Sequence, residues 1–297
     1  MTTSLAFITN QESNNIDVVD LKKKEIIQEI KAGESPAAID IDKKNKIIFV
    51  SNPESNDVFV YDLLNKKRYF VDAGNTPMGI GLSTNKKIVY VTNWYDNELT
   101  VIDFKKNKIL KKVKVGNSPA GLTVEKKTKR IFIANREDDT ITVVDEETLK
   151  KIKDIKVQSA PFGVFSFLNN DNIIITNVQS NSISIIDNKT LELKKNIKVG
   201  KWPYQAAYDK EKEIVLISNQ RDNSVSIIDM QKLEKIKTLN NICEYPEGIN
   251  ISYKQNLIVV ACWFEDTIIL VNRDNYQIEN IIETSGGPRA FGNFILD

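Results

Sequence analysis

Seven copies of one pattern make up this chain, and that recurrence constrains its fold more than any single residue does. Asn closes an apolar run at Asn10, Asn52, Asn93, Asn135, Asn177 and Asn219, with Cys262 in the seventh place, in steps of 42, 41, 42, 42, 42 and 43 residues. Ten residues after each stands Asp20, Asp62, Asp103, Asp145, Asp187, Asp229 or Asn272. Seven of the eight prolines keep the same interval, at Pro36, Pro77, Pro119, Pro161, Pro203, Pro246 and Pro288, and Pro53 alone lies off it. Sequence periods between about 20 and 50 residues belong to solenoids, propellers and arrays.

Within each unit the apolar residues alternate with period two, as in Ser182-Ile183-Ser184-Ile185-Ile186-Asp187, and β-branched residues are dense. That pattern reads as strand. The fourth unit shows four runs, at 120–124, 130–135, 140–145 and 151–157. Four runs per unit predict one antiparallel sheet per unit, and seven such sheets predict an all-β, seven-bladed β-propeller spanning 1–297 as one domain. The chain begins at the second run of a unit and ends just after a first run, residues 289–296. The C-terminal strand is therefore expected to join the N-terminal blade and close the ring, which removes the unpaired edges of an open array.

Composition narrows the chemistry. A 297-residue chain with 41% hydrophobic and 27% charged residues can bury a core and stay in water. No apolar run is long enough to span a bilayer, and the first residues show no basic segment followed by an apolar one. The two cysteines, Cys243 and Cys262, are too few for a disulfide scaffold, so the expectation is buried free thiols in the cytoplasm, or an exported protein if a leader has been removed. With no histidine, Ser-His-Asp, Cys-His and His-ligated metal chemistry are excluded, and no metal or cofactor is expected. A net charge of +1 supplies no global field to recruit nucleic acid or an anionic membrane.

Tyr90-Val91-Thr92-Asn93 resembles the signature of the YVTN-repeat β-propeller family. Phe7-Ile8-Thr9-Asn10, Phe49-Val50-Ser51-Asn52, Phe132-Ile133-Ala134-Asn135, Ile174-Ile175-Thr176-Asn177 and Leu216-Ile217-Ser218-Asn219 are variants of it at the same interval. The resemblance covers the whole chain and implies the propeller fold. It also implies a range of functions, from lactonase-like enzymes to surface proteins, nucleic-acid binders and covering subunits, so fold alone does not choose among them.

A residue needed once per blade is structural. The recurring Asn and Asp suit turns, and Gly33, Gly74, Gly116 and Gly200, three residues before their prolines, are expected to supply φ > 0 there. Gly79, Gly121, Gly163 and Gly248, two residues past theirs, are expected to let the innermost strands crowd the channel.

Function is sought where the copies disagree. Strand direction puts the proline loops and the loops after the recurring Asn on one face, the top, and there stand all three tryptophans, Trp94, Trp202 and Trp263, with Phe162 and Tyr204. Arg136, Gln220, Glu247 and Arg289 add polar groups at equivalent places. Those nine residues are the candidate ligand-binding set. The five positions after each recurring Asn hold 11 acidic and two basic residues, and the six after each recurring Asp hold 15 basic and 6 acidic, so the top rim is acidic and the bottom turns mildly basic. A basic groove lined with aromatics is missing, which weighs against nucleic acid.

The expected function is non-enzymatic recognition of a small ligand, peptide or protein partner in a top-face funnel, by a monomer or weak oligomer. The alternative is a His-independent hydrolase or lyase of lactonase-like type using Glu247 with Arg136 or Arg289 as oxyanion stabiliser.

Overall fold

A computed structural model describes residues 4–167 and 171–297. Seven blades of four antiparallel strands form a β-propeller, at residues 5–31 with 295–296, and at 38–72, 77–114, 119–156, 161–198, 203–239 and 246–283, Phe291–Gly292 adding a short parallel strand to the second. The described residues include no α-helix, only two 3-10 turns, Gln220–Asp222 and Trp263–Glu265. In the fourth blade the strands run Pro119–Glu125, Arg130–Asn135, Thr140–Asp145 and Lys151–Lys156 from the channel outward.

Burial follows strand position. The middle strands are packed on both faces by neighbouring blades, and every residue of Ile214–Asn219 and Leu257–Cys262 is buried. The outermost strands face water and read accordingly: in Lys108–Lys114 only Val113 is buried. Lysines along these edges, with a bulge in six of the seven outer pairings, blunt them against pairing with another chain.

Two sets of hydrogen bonds stitch blade to blade. The residue before each recurring proline, Ser35, Thr76, Ser118, Ala160, Trp202, Tyr245 or Gly287, has φ between 50° and 61°. Its N–H donates to the side chain of Asn14, Asn56, Asn97, Asp139, Asn181, Asn223 or Asp266 of the preceding blade, at 2.7–3.1 Å. Separately, in the five copies with a hydroxyl before the recurring Asn, it donates toward the innermost strand of the next blade, as in Thr176 Oγ1 to Tyr204 O (2.9 Å) and Ser218 Oγ to Glu247 O (2.6 Å).

Positive φ is expected from sequence at the glycine three before the proline; Gly33, Gly116 and Gly200 do not adopt it and Gly74 sits at φ 159°, while the left-handed residue is the one next to the proline. A Cβ on Gly116 would lie 2.5 Å from Asn135 Cγ, and one on Gly200 would lie 2.6 Å from Asn219 Cγ. Glycine is therefore required by close approach, and its N–H donates to that Asn Oδ1 at 3.0 Å and 3.1 Å respectively. At Gly79 and Gly163 the crowding expected at the channel holds, with added Cβ atoms 2.5 Å from Ala120 O and Phe165 Cε2.

The seventh blade replaces both partners of this Gly–Asn contact. Cys243 stands in the glycine place and Cys262 in the asparagine place, and they form a disulfide with Cα atoms 5.9 Å apart. This corrects the expectation of free thiols. The glycine-place Cβ vector points into the asparagine-place side chain, so two cysteines there meet in bonding range.

Ring closure is also more particular than one strand of 289–296. Pro288 bridges Asn10, and Ile295–Leu296 pair with Leu5 and Ala6, completing the first blade. Ile295 reaches Ala6 seven residues past its proline, whereas Val124 reaches the equivalent Ile131 only five past Pro119. The two surplus residues are accommodated by Phe291–Gly292, which turn aside to run parallel with Ala38–Ile39, Gly292 adopting φ 121°.

Candidate ligand-binding funnel

All nine residues selected from the sequence line one top-face funnel of about 470 Å³. Trp94, Arg136, Gln220 and Trp263 reach it from the loops after the recurring Asn or Cys, and Phe162, Tyr204, Glu247 and Arg289 from the places just after the prolines. Trp202 precedes Pro203. The funnel's volume lies within the range of small-molecule sites. Four further residues line it. Gln11 and Val178 hold the same place after Asn10 and Asn177 as Trp94 holds after Asn93, Tyr245 stands before its proline as Trp202 does, and Phe264 follows Trp263.

The aromatic residues divide into a floor and a wall. Phe162 stacks on Tyr204 (4.9 Å between ring centroids), and both rings meet Phe291 at 5.4 and 5.1 Å. Phe291 in turn packs edge-on to Phe165. Phe162 and Tyr204 line the funnel while Phe165 and Phe291 line a second cavity of about 140 Å³ lower in the channel, so this cluster is the plug between them. Both funnel-side rings are buried. Trp94, Trp202 and Trp263 are only half-buried and form the wall. The Arg221 guanidinium lies over the Trp202 ring at 3.4 Å and that of Arg136 over Trp94 at 5.7 Å, which stiffens two of the three indoles. Tyr245 packs on exposed Phe264 at 4.8 Å.

A polar network occupies the floor beside this plug. Arg289 Nε donates to Tyr204 OH at 2.7 Å, and its Nη1 donates to Gln11 Oε1 at 2.8 Å. Gln220 Nε2 donates to Glu247 Oε1 at 2.8 Å. Glu247 Oε2 has no hydrogen bond and lies 3.4 Å from Arg289 Nε. Burial, only partly offset by Arg289 and by the Gln220 hydrogen bond, pushes the Glu247 carboxyl up to about 7. Burial likewise drives the Tyr204 phenol far above its ordinary value, so it stays neutral. Arg136 is not part of this network: its Nη1 donates to Glu137 Oε1 at the rim, at 2.8 Å.

The disulfide holds the loop that delivers Tyr245 and Glu247. With both sulfurs bonded to each other, the cluster of Cys243, Cys262 and Glu265 offers no thiolate to a metal.

Fold and site together define a seven-bladed propeller with an aromatic funnel built from positions at which its blades differ. The cytochrome D1 heme domain family matches residues 127–255, from the fourth blade into the seventh. No curated protein sequence matches the chain. Among solved structures, the chain is similar to a hydrazine synthase of Kuenenia stuttgartiensis (17% identity, TM-score 0.77, covering 86% of this chain and 88% of that one). It is also similar to a functionally unknown protein of Desulfotomaculum acetoxidans (11% identity, TM-score 0.84, covering 97% and 99%). A third is the dihydro-heme d1 dehydrogenase NirN in complex with DHE (12% identity, TM-score 0.73, covering 96% and 74%). At these identities the likeness is one of fold.

Proposed function

We propose that this protein is a non-enzymatic recognition propeller that binds a small ligand or the tip of a peptide in its top-face funnel. The observation that carries the reading is convergence: positions that vary among seven otherwise repeated units meet at one cavity of about 470 Å³, with half-buried indoles around a buried polar floor. Repeated positions serve the frame, and divergent ones are free to form an asymmetric site.

The cytochrome D1 heme domain match and the similar dihydro-heme d1 dehydrogenase raise the question of a heme here. The residues do not fit an axially ligated heme iron. The chain has no histidine, and its two cysteines are bonded to each other. No methionine is among the described residues lining the funnel, and the Tyr204 phenol is neutral and engaged by Arg289. Recognition in this funnel is therefore by stacking, hydrogen bonding and charge. The disulfide supports an oxidising compartment over the cytoplasm expected from cysteine number.

Because all three tryptophans of the chain line the funnel, intrinsic fluorescence reports on it. A bound ligand is expected to change that emission, and Trp263→Ala to weaken binding by roughly thirtyfold, the size of a hot-spot loss of about 2 kcal/mol. A binder whose affinity is the same in folded Trp94→Ala and Trp263→Ala variants sinks the reading.

One observation favours the hydrolase or lyase alternative, namely a buried Glu247 carboxyl 3.4 Å from Arg289 Nε, which burial raises toward neutral pH. Arg136, turned to the rim, drops out of that scheme. If the protein turns over a lactone or ester, Glu247→Gln is expected to lower the rate by 10²-fold or more, on the order of a general acid/base contribution.

A further inference from the structure

We propose that the Glu247–Arg289 pair is exchangeable, so that the funnel takes a planar or aromatic carboxylate whose anion replaces Glu247 beside the Arg289 guanidinium while Glu247 takes up one proton from solvent. This inference rests on the funnel being a binding site and names the chemistry of what it binds.

The argument begins with a contrast inside the molecule. On the lower face, Arg273 and Asp209 are a closed buried pair, with Nε to Oδ2 at 2.6 Å and Nη2 to Oδ1 at 3.1 Å. The funnel pair is open: Arg289 Nε spends its hydrogen bond on Tyr204 OH, and Glu247 Oε2 is left without one at 3.4 Å. A buried carboxylate oxygen lacking a hydrogen bond is costly. Protonation removes the buried charge and breaks no hydrogen bond, because the Gln220 amide can keep donating to Oε1 of the neutral acid; what it gives up is the attraction to Arg289, which an incoming anion restores. Arg289 does not need Glu247 for its orientation, which Tyr204 and Gln11 hold. The floor thus keeps a fixed cation whose counter-charge can be removed.

The groups around Glu247 all permit this exchange. Gln220 faces it from the sixth blade, Arg289 from the closing segment, and the neutral phenols of Tyr204 and Tyr245 from the two flanking proline loops, with Arg221 acting on Tyr245. Once Glu247 is neutral, Arg289 and Arg136 are the charged residues of the funnel lining. A single carboxylate on an aromatic body then meets a guanidinium at the floor and indoles at the wall. The acidic rim lies in water, where salt screens its repulsion beyond about 8 Å.

The test uses a matched pair of probes, 2-naphthoate and 2-naphthylmethylamine, against the full chain labelled with ¹⁵N. Calorimetry is run from about pH 6.5 to about pH 8.5 in two buffers of different ionisation heat. The three indole N–H resonances show whether a probe enters the funnel. Naphthoate is expected to shift them and to bind at least tenfold more tightly than the amine. Its affinity falls by up to about tenfold per pH unit above pH 7, with close to one proton taken up per molecule bound at the alkaline end. Glu247→Gln, which stays neutral at every pH, is expected to retain naphthoate binding and lose both the pH slope and the proton uptake. Tighter binding of the amine, or naphthoate binding with the same slope in Glu247→Gln, overturns the exchange and leaves the funnel as a binding site. Indole resonances that neither probe moves overturn both.

Discussion

Cys243 and Cys262 show how a single contact can be rebuilt with different chemistry. At Gly116 and Gly200 the glycine N–H donates to the recurring Asn across a gap too small for a Cβ, and here a covalent bond fills the same gap. Closing a loop of sequence separation 19 should stabilise by about 3 kcal/mol. Cys262→Ala is expected to lose about that much in chemical denaturation under oxidising conditions, and the paired Cys243→Gly, Cys262→Asn variant to recover about 1 kcal/mol of it through the restored hydrogen bond. A paired variant no more stable than the single one would show that the Gly–Asn frame does not transfer to this blade. Glu247 offers a second measurement at this scale. Its carboxyl is raised in the folded protein to about 7, so between the unfolded value near 4.5 and that point the folded state binds more protons than the unfolded one. Its contribution to stability is therefore fully present below about pH 4.5 and is lost as pH rises toward 7, on the order of 3 kcal/mol in all. The stability of the wild type minus that of Glu247→Gln should fall over that window, and a flat difference would mean the carboxyl is not desolvated as described.

Blades are held to one another by elements whose partners lie one repeat away. Asn97 illustrates this: its side chain caps the N–H of Ser118 at 2.9 Å while its own backbone sits at φ 56°. Asn97→Ala removes the acceptor and places a Cβ-bearing residue less tolerant of the left-handed region there, together about 2 kcal/mol. Thermal unfolding should record a loss of that size, and an unchanged midpoint would remove the clasp from the account. The strands themselves were legible, since Ser182–Asp187 or Thr140–Asp145 carry their own period and β-branched density. The clasp is not legible in this way, although Asn14, Asn56, Asn97, Asp139, Asn181, Asn223 and Asp266 keep the same interval as the recurring Asn and Pro. An Asn in a hairpin satisfies local turn chemistry, and nothing in its own segment shows that it reaches the neighbouring proline loop. The funnel was legible as divergence, because positions released from the repeat stand out against it. Its pairings were not: whether Glu247 meets Arg289 or Arg136 depends on side-chain direction at the channel mouth, and Phe162 and Tyr204 became the plug because the surplus residues of the last segment brought Phe291 beneath them.

At the scale of the whole molecule, seven blades around a channel leave one joint made of chain ends. The first blade supplies three strands from the N-terminal side and receives Ile295–Leu296 from the other, while Phe7 N–H donates to Phe294 O at 2.9 Å. Phe294, Ile295 and Leu296 are all buried, and burying three such side chains is worth roughly 6 kcal/mol. That is comparable to the total stability of many domains, about 5–15 kcal/mol. An edge strand on the outside of a blade carries far less: in Leu193–Lys198 only Ile197 is buried. Deleting residues 293–297 should therefore lower the unfolding midpoint far more than Lys195→Pro in that outer strand. It should also expose the edge of Leu5–Asn10, a six-residue strand whose middle is buried in the closed ring, and such an edge pairs with other chains. The deletion is expected to self-associate in size-exclusion chromatography while Lys195→Pro elutes as the parent does. Equal midpoints and equal elution for the two variants would mean that the ring derives its stability from the blade interfaces alone and that its closing joint is dispensable.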